Sequence, residues 1–167
     1  FNRNQQFQEL INKLTSSKNN NYPIPQPYQQ ILREYQCQGY KWIMTMSEYG
    51  FGGILADDMG LGKTLQMITV LENTKSDHKV SIVITPATLI LNWQDEIKKF
   101  STDLNVLCIS GSLENRKKSI EQINNYNVII TSYDYLRRDY NLYKDYCFEY
   151  IILDEAQYIK NQATKNA

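Results

Sequence analysis

Five short apolar runs constrain this chain more than any other feature: GGILA (52–56), SIVIT (81–85), NVLCI (105–109), NVIIT (127–131) and YIILD (150–154). A strand with one wet face alternates apolar and polar residues, whereas a strand covered on both faces reads as an unbroken apolar run. Between the runs lie KTLQMITVLENT (63–74), TLILNWQDEIKKF (88–100) and SLENRKKSIEQI (112–123), each with apolar residues at helical spacing. A further helical pattern, ILREYQCQGYKWIMTMSEYG (31–50), precedes the first run. Strands that alternate with helices predict a three-layer α/β fold around a mostly parallel sheet. Upstream, residues 5–18 place Phe7, Leu10, Ile11 and Leu14 on one face of a short helix. NNNYPIPQPY (19–28) then reads as a linker, because neither a helix nor a central strand accommodates its prolines. The expected organisation is therefore an N-terminal helix and Asn/Pro-rich linker over 1–27, and one α/β domain over 28–167.

In such sheets ligands bind beyond the carboxyl ends of the strands. The first run is followed there by Asp57-Asp58-Met59-Gly60-Leu61-Gly62-Lys63-Thr64 and a helix that continues through Leu65. A polyphosphate needs donors without bulk: inward N–H groups, glycines that let the backbone come close, and a helix N-terminus. Lys63 is placed for the β- and γ-phosphates and the Thr64 hydroxyl for magnesium. The usual first glycine of a phosphate loop is replaced by Asp57. A triphosphate with magnesium also needs carboxylates at another strand end. Run 150–154 ends in Asp154, expected to hold magnesium through water, followed by Glu155, expected to orient and deprotonate the attacking water.

With these anchors in place, the chain resembles the Swi/Snf family of DNA-translocating ATPases in the second helicase superfamily, over about residues 28–161. LREYQCQGYKW resembles the family's adenine-recognition segment, DDMGLGKTLQ its phosphate loop, ITPATLILNWQDEIKKF and IITSYDYLRRD its next motifs, and LDEAQYIKN its acidic motif. The resemblance implies the first, ATP-binding RecA-like lobe, incomplete at its C-terminus, with ATP and magnesium as cofactors. It assigns ATP contacts to Arg33, Gln36, Asp58, Met59, Gly60, Leu61, Gly62, Lys63, Thr64 and Leu65, with Gln36 reading the adenine edge. Lys63 and Glu155 are the implied catalytic residues, and Thr64 and Asp154 the implied magnesium ligands. Gln157, where family members more often carry histidine, is expected to couple the nucleotide site to the next motif.

The implied partners are double-stranded DNA and a second RecA-like lobe, which the sequence up to Ala167 does not include. A translocase grips phosphates so that motion does not depend on sequence. The resemblance therefore turns Pro86, Thr88, Thr131, Ser132 and Lys160 toward the tracked strand, although Ser and Thr also favour plain turns and helix caps. Two rival readings are a docking module for RNA polymerase or another DNA-bound protein and an RNA-directed helicase of the same superfamily.

Charge narrows these choices little, since 18 basic and 18 acidic residues cancel and no global basic field marks nucleic acid. Local basic groups, Arg116-Lys117-Lys118 and Arg137-Arg138, are expected on solvated helix faces or on phosphates. Trp93 is expected in the core with Leu89, Ile90 and Ile97, and His78 at the surface. Three dispersed cysteines, Cys37, Cys108 and Cys147, predict reduced thiols in the core of a cytoplasmic protein. Sixteen asparagines suggest an A/T-rich, bacterial coding sequence. No apolar run reaches the length of about 20 residues that spans a membrane.

Overall fold

The computed structural model describes residues 12, 22–58, 60–76, 79–101 and 103–159. The expected helix over 5–18, Met59, His78 and Lys160 lie outside the described residues, Asn12 aside. Backbone contacts divide the chain into two units, Phe1–Asn73 and Thr74–Ala167.

In the first unit a single 3-10 turn, Gln26–Tyr28, leads into α1 (Glu34–Glu48). The amide of Gln36 opens this helix by accepting the N–H of Arg33 at 2.9 Å. Gly50 closes it: at φ +70 it adopts the left-handed conformation that glycine takes without steric cost. Phe51 N then donates to Met46 O (2.9 Å) and Gly50 N to Ser47 O (3.0 Å), which satisfies the last carbonyls. Helix α2 (Lys63–Thr74) covers the span expected from sequence and buries Leu65, Gln66, Ile68, Thr69, Val70 and Leu71. The two helices approach closely at Gly39, where a Cβ would collide with the Gln66 amide.

One expectation fails here. Residues 51–58 form no regular element, and Phe51 through Ile54 are exposed, with Ile54 at 87 %. A five-residue run that starts with two glycines gives up more backbone entropy on pairing than it can recover in side-chain packing. Gly53 instead lets the Trp42 ring lie against the backbone where a Cβ would clash.

The second unit holds β1 (Val80–Thr85), α3 (Ile90–Phe100), β2 (Val106–Cys108), α4 (Leu113–Ile120), β3 (Val128–Ser132), α5 (Tyr133–Tyr143) and β4 (Phe148–Leu153). The four strands form one parallel sheet in the order β2-β3-β1-β4. Every residue of β1 and β3, the two central strands, is buried, which is why their sequences do not alternate. Ser81 through Thr85 run in register with Val128 through Ser132. β4 ends the order, carries an irregularity opposite Val80–Ile82 and exposes Ile151 and Leu153.

Around this sheet Val80, Ile82, Ile84, Ile109, Ile120, Ile123, Ile129, Tyr133 and Tyr143 form the core. Helix α3 buries Ile90, Trp93 and Ile97, as the sequence predicts. Helix α5 is capped by Ser132, whose Oγ accepts from Tyr135 N (3.2 Å), and is anchored by buried Tyr133 and Tyr143. Lys117 and Lys118 lie on a solvated face as expected, whereas Arg116 meets neither expectation for this cluster. It is buried, donates from Nε (2.5 Å) and Nη2 (3.0 Å) to the Asp139 carboxylate and from Nη1 to Gly111 O (2.6 Å), and lies 4.6 Å from the Tyr135 ring centre. Lys118 pairs with Glu114 and Arg137 with Asp134 on exposed surface. Cys37 and Cys108 are free and half-buried; Cys147 is free but exposed, which corrects the expectation of a core thiol. Among the described residues no helix is long and apolar enough to cross a membrane.

Candidate functional site

In the first unit the loop ahead of α2 carries two left-handed glycines, Gly60 (φ +84) and Gly62 (φ +72). The first i to i−4 bond of α2 runs from Gln66 N to Gly62 O at 3.3 Å. The N–H groups of Lys63, Thr64 and Leu65 precede it and therefore have no acceptor within the helix. Their partial positive charge and the Lys63 ammonium suit an anion. Lys63 Nζ lies back over the loop, donating to Asp57 O (2.7 Å) and Asp58 O (3.0 Å). Asp57, the residue in place of the usual glycine, also accepts from Gln66 Nε2 through Oδ2 (3.3 Å).

Gln36 is nearly buried and braces this loop. Besides capping α1, it donates from Nε2 to Leu61 O (3.1 Å), while Tyr35 Oη donates to the same carbonyl (3.0 Å). The resemblance assigned Gln36 to a base and gave no hint of this bracing role. A carboxamide has two N–H groups and two acceptor lone pairs, so one N–H and one lone pair remain. Gly62→Ala is expected to cost about 1–2 kcal/mol from the left-handed backbone alone. It should cost more than Gly60→Ala in denaturant unfolding, because a Cβ at Gly62 collides with Gln36 Nε2 whereas one at Gly60 meets open space.

In the second unit, β4 delivers Asp154 and Glu155. Asp154 Oδ2 accepts from Thr85 Oγ1 (2.9 Å) and Trp93 Nε1 (2.8 Å), and Oδ1 accepts from Glu155 N (3.1 Å). Trp93 thus packs in the core as expected and also fixes the carboxylate, a role that its apolar helix position hid. Oδ1 keeps acceptor capacity for a water or a hydrated cation. Glu155 has φ +51 and accepts from Gln157 Nε2 through Oε2. Tyr133 Oη donates to Asp154 O (2.8 Å). Burial, and then the charges of Asp154 and Glu155, push the Tyr133 phenol up to about 12, so it remains a donor at neutral pH.

Burial also raises the Glu96 carboxyl, with Lys99 opposing and Asp154 adding to the rise. A carboxyl raised on folding favours the folded state at low pH, and that contribution is lost as pH rises through the folded value. Glu96→Gln is accordingly expected to raise the melting temperature relative to wild type more at neutral pH than at acid pH.

The loops after β1 and β3 border an open pocket of about 180 Å³ lined by Pro86, Ala87, Thr88, Ser132, Tyr133, Asp134 and Tyr158. Three residues expected to face nucleic acid, Pro86, Thr88 and Ser132, therefore share one pocket. Ser132 Oγ is already used as the α5 cap. Thr131 does not share it: it is fully buried inside a central strand, and its hydroxyl donates to Ile109 O (3.3 Å).

An α/β fold built on a four-stranded parallel sheet, in a chain that also carries a glycine-rich loop ahead of a helix, is that of a RecA-like lobe. The family model described as "SNF2-related domain" matches residues 35–167. The chain belongs to this family. It is 38 % identical over 159 residues to an "Uncharacterized ATP-dependent helicase" of Mycoplasma pneumoniae, covering 92 % of this chain and 15 % of that protein. Human TATA-binding protein-associated factor 172 is 38 % identical over 169 residues, with 91 % of this chain and 9 % of that protein covered. Among solved structures, the Sulfolobus solfataricus SWI2/SNF2 ATPase core in complex with dsDNA is 40 % identical with a TM-score of 0.75, covering 87 % of this chain and 31 % of that one. The chain thus spans only a small part of the length of these relatives.

Proposed function

We propose that this lobe binds magnesium–ATP and, within a longer polypeptide, drives translocation on double-stranded DNA. The observation that carries the proposal is the loop with left-handed Gly60 and Gly62 that opens α2, within a chain of the SNF2-related family. Asp58, Gly60, Leu61 and Gly62 form the cradle, to which the resemblance adds Met59, outside the described residues, and the N–H groups of Lys63, Thr64 and Leu65 receive the phosphates. Lys63 neutralises the β- and γ-phosphates. Gln36 reads adenine with the N–H and lone pair left over from its internal bonds, and Arg33 lies beside it in sequence.

The hard oxygen donors of Thr64 and Asp154 suit magnesium, and the bonds already made to Asp154 favour a hold through water. Magnesium, when bound, neutralises charge on the phosphates. Glu155 orients and deprotonates the attacking water, and Gln157, bonded to Glu155, links this step to the neighbouring motif. The resemblance assigns Pro86, Thr88 and Ser132, which line one pocket, to DNA phosphates together with Lys160, which lies outside the described residues; the solved Sulfolobus relative held with dsDNA supports that partner. Free thiols fit a cytoplasmic setting.

Since the chain covers 31 % of that ATPase core, this lobe alone is expected to bind ATP weakly and to turn it over negligibly. A steady-state assay of the 167-residue chain with duplex DNA tests this. Robust DNA-stimulated hydrolysis that disappears in Lys63→Ala would overturn the expectation of negligible turnover.

A further inference from the structure

Among the described residues Glu155 is the only one other than glycine at positive φ. A left-handed residue with a side chain persists only where its surroundings over-determine it, and such residues gather at functional sites. Three hydrogen bonds hold the backbone groups from Asp154 N to Glu155 N. Asp154 N donates to Ile84 O (2.9 Å), Glu155 N donates to Asp154 Oδ1 (3.1 Å), and Tyr133 Oη donates to Asp154 O (2.8 Å). The first belongs to the sheet and the second to the acidic turn itself. Of these backbone bonds only the third comes from a side chain of another element, the first residue of α5; Thr85 and Trp93 hold the Asp154 carboxylate rather than the peptide.

The same side chain faces a second environment. The Tyr133 ring lines the pocket formed by the loops after β1 and β3, and it stacks on Tyr158 with planes 4° apart and centroids at 6.3 Å. Tyr158 follows the acidic turn in the 3-10 segment Ala156–Ile159, and its N–H donates to Glu155 O (3.0 Å). A ligand that presses on the Tyr133 ring therefore acts on a group bonded to the peptide between Asp154 and Glu155. The ring is 8 % exposed, so it is already packed against protein on most sides and can transmit displacement.

We infer that Tyr133 is a positioning residue for Glu155 and that it carries occupancy of the pocket by nucleic-acid phosphates to the acidic turn. This rests on the reading of Glu155 as the water activator. The alternative is that Tyr133 is an ordinary core tyrosine whose hydroxyl is satisfied by a convenient carbonyl. Tyr146 supplies the control, since its hydroxyl also donates to a carbonyl, Ile120 O (2.9 Å), away from the pocket and the acidic turn.

The test compares Tyr133→Phe with Tyr146→Phe, each a loss of one hydroxyl. In the longer polypeptide that carries this lobe, Tyr133→Phe is expected to lower DNA-stimulated kcat by about fivefold, the equilibrium worth of one ordinary hydrogen bond. KM for ATP should hold, the ratio of rates with and without duplex DNA should fall, and Tyr146→Phe should behave as wild type. In the 167-residue chain without nucleotide, the Glu155 amide should exchange with solvent faster in Tyr133→Phe than in wild type or Tyr146→Phe. Identical kinetics and exchange in the two variants would overturn the inference. An equal loss of kcat with and without DNA would support positioning and overturn the relay. If no protein hydrolyses ATP, the functional reading fails, while amide exchange still decides whether Tyr133 holds the turn.

Discussion

Lys63→Ala is expected to lower ATP turnover by the longer polypeptide about a hundredfold or more, the order lost when one preorganised donor to a developing charge is removed. The side chain starts at the first position of α2 and its ammonium lies over the loop, held by the carbonyls of Asp57 and Asp58 at 2.7 and 3.0 Å. An anion in the loop offers that ammonium better acceptors than two neutral carbonyls, because charge-assisted bonds are about twice as strong as neutral ones. Alanine is the best helix former and its Cβ fits the helical backbone, so the fold should survive. The expected pattern is a hundredfold fall in activity, weakened ATP binding by the isolated chain and unchanged circular dichroism. Lys63→Arg is not expected to rescue, since a planar guanidinium does not replace a compact ammonium in a tight loop. Full activity in Lys63→Ala would remove the phosphate-loop assignment.

Asp139→Ala should have the largest effect on stability. Arg116 and Asp139 form a two-point ion pair with side chains 7 % and 1 % exposed, and Arg116 also donates to Gly111 O. Hydrogen bonding to Asp139 raises the Arg116 guanidinium further, and after its partner is removed it still keeps its charge, because a guanidinium is not deprotonated in proteins. Leaving one member of a buried pair uncompensated typically costs about 3–5 kcal/mol. Replacing both with apolar residues of similar size, Arg116→Met with Asp139→Leu, should recover most of that loss, because no charge then stays buried unpaired. Denaturant unfolding of the single and double variants checks this. A loss below about 1 kcal/mol for Asp139→Ala would mean that water reaches the guanidinium and that the pair counts as a surface one.

Much of the fold was legible because burial leaves a simple mark. β1 and β3 are covered on both faces and read as unbroken apolar runs, and α3 carries Ile90, Trp93 and Ile97 on one stripe. Residues 52–56 gave the same apolar signal but form no strand, since composition does not reveal whether a partner strand is available. Arg116 looked solvated because a run of like charges hides which member points inward, and its partner is 23 positions away. For the site, loop chemistry was readable from Gly60, Gly62 and Lys63. The bracing of Leu61 by Gln36, the grip of Trp93 on Asp154 and the left-handed Glu155 were not, because each depends on a tertiary contact or a dihedral angle that no residue pattern encodes. Thr131 shows the converse: a hydroxyl suited to phosphate is spent inside the sheet.

The most direct test of an ATP-driven DNA motor is the steady-state ATP hydrolysis rate of the longer polypeptide without nucleic acid, with duplex DNA and with RNA, for wild type and Glu155→Gln. The expected result is a low basal rate, strong stimulation by duplex DNA, little by RNA, and loss of the stimulated rate in Glu155→Gln. A rate indifferent to DNA and to Glu155→Gln would contradict it, and stimulation by RNA alone would point to an RNA-directed helicase.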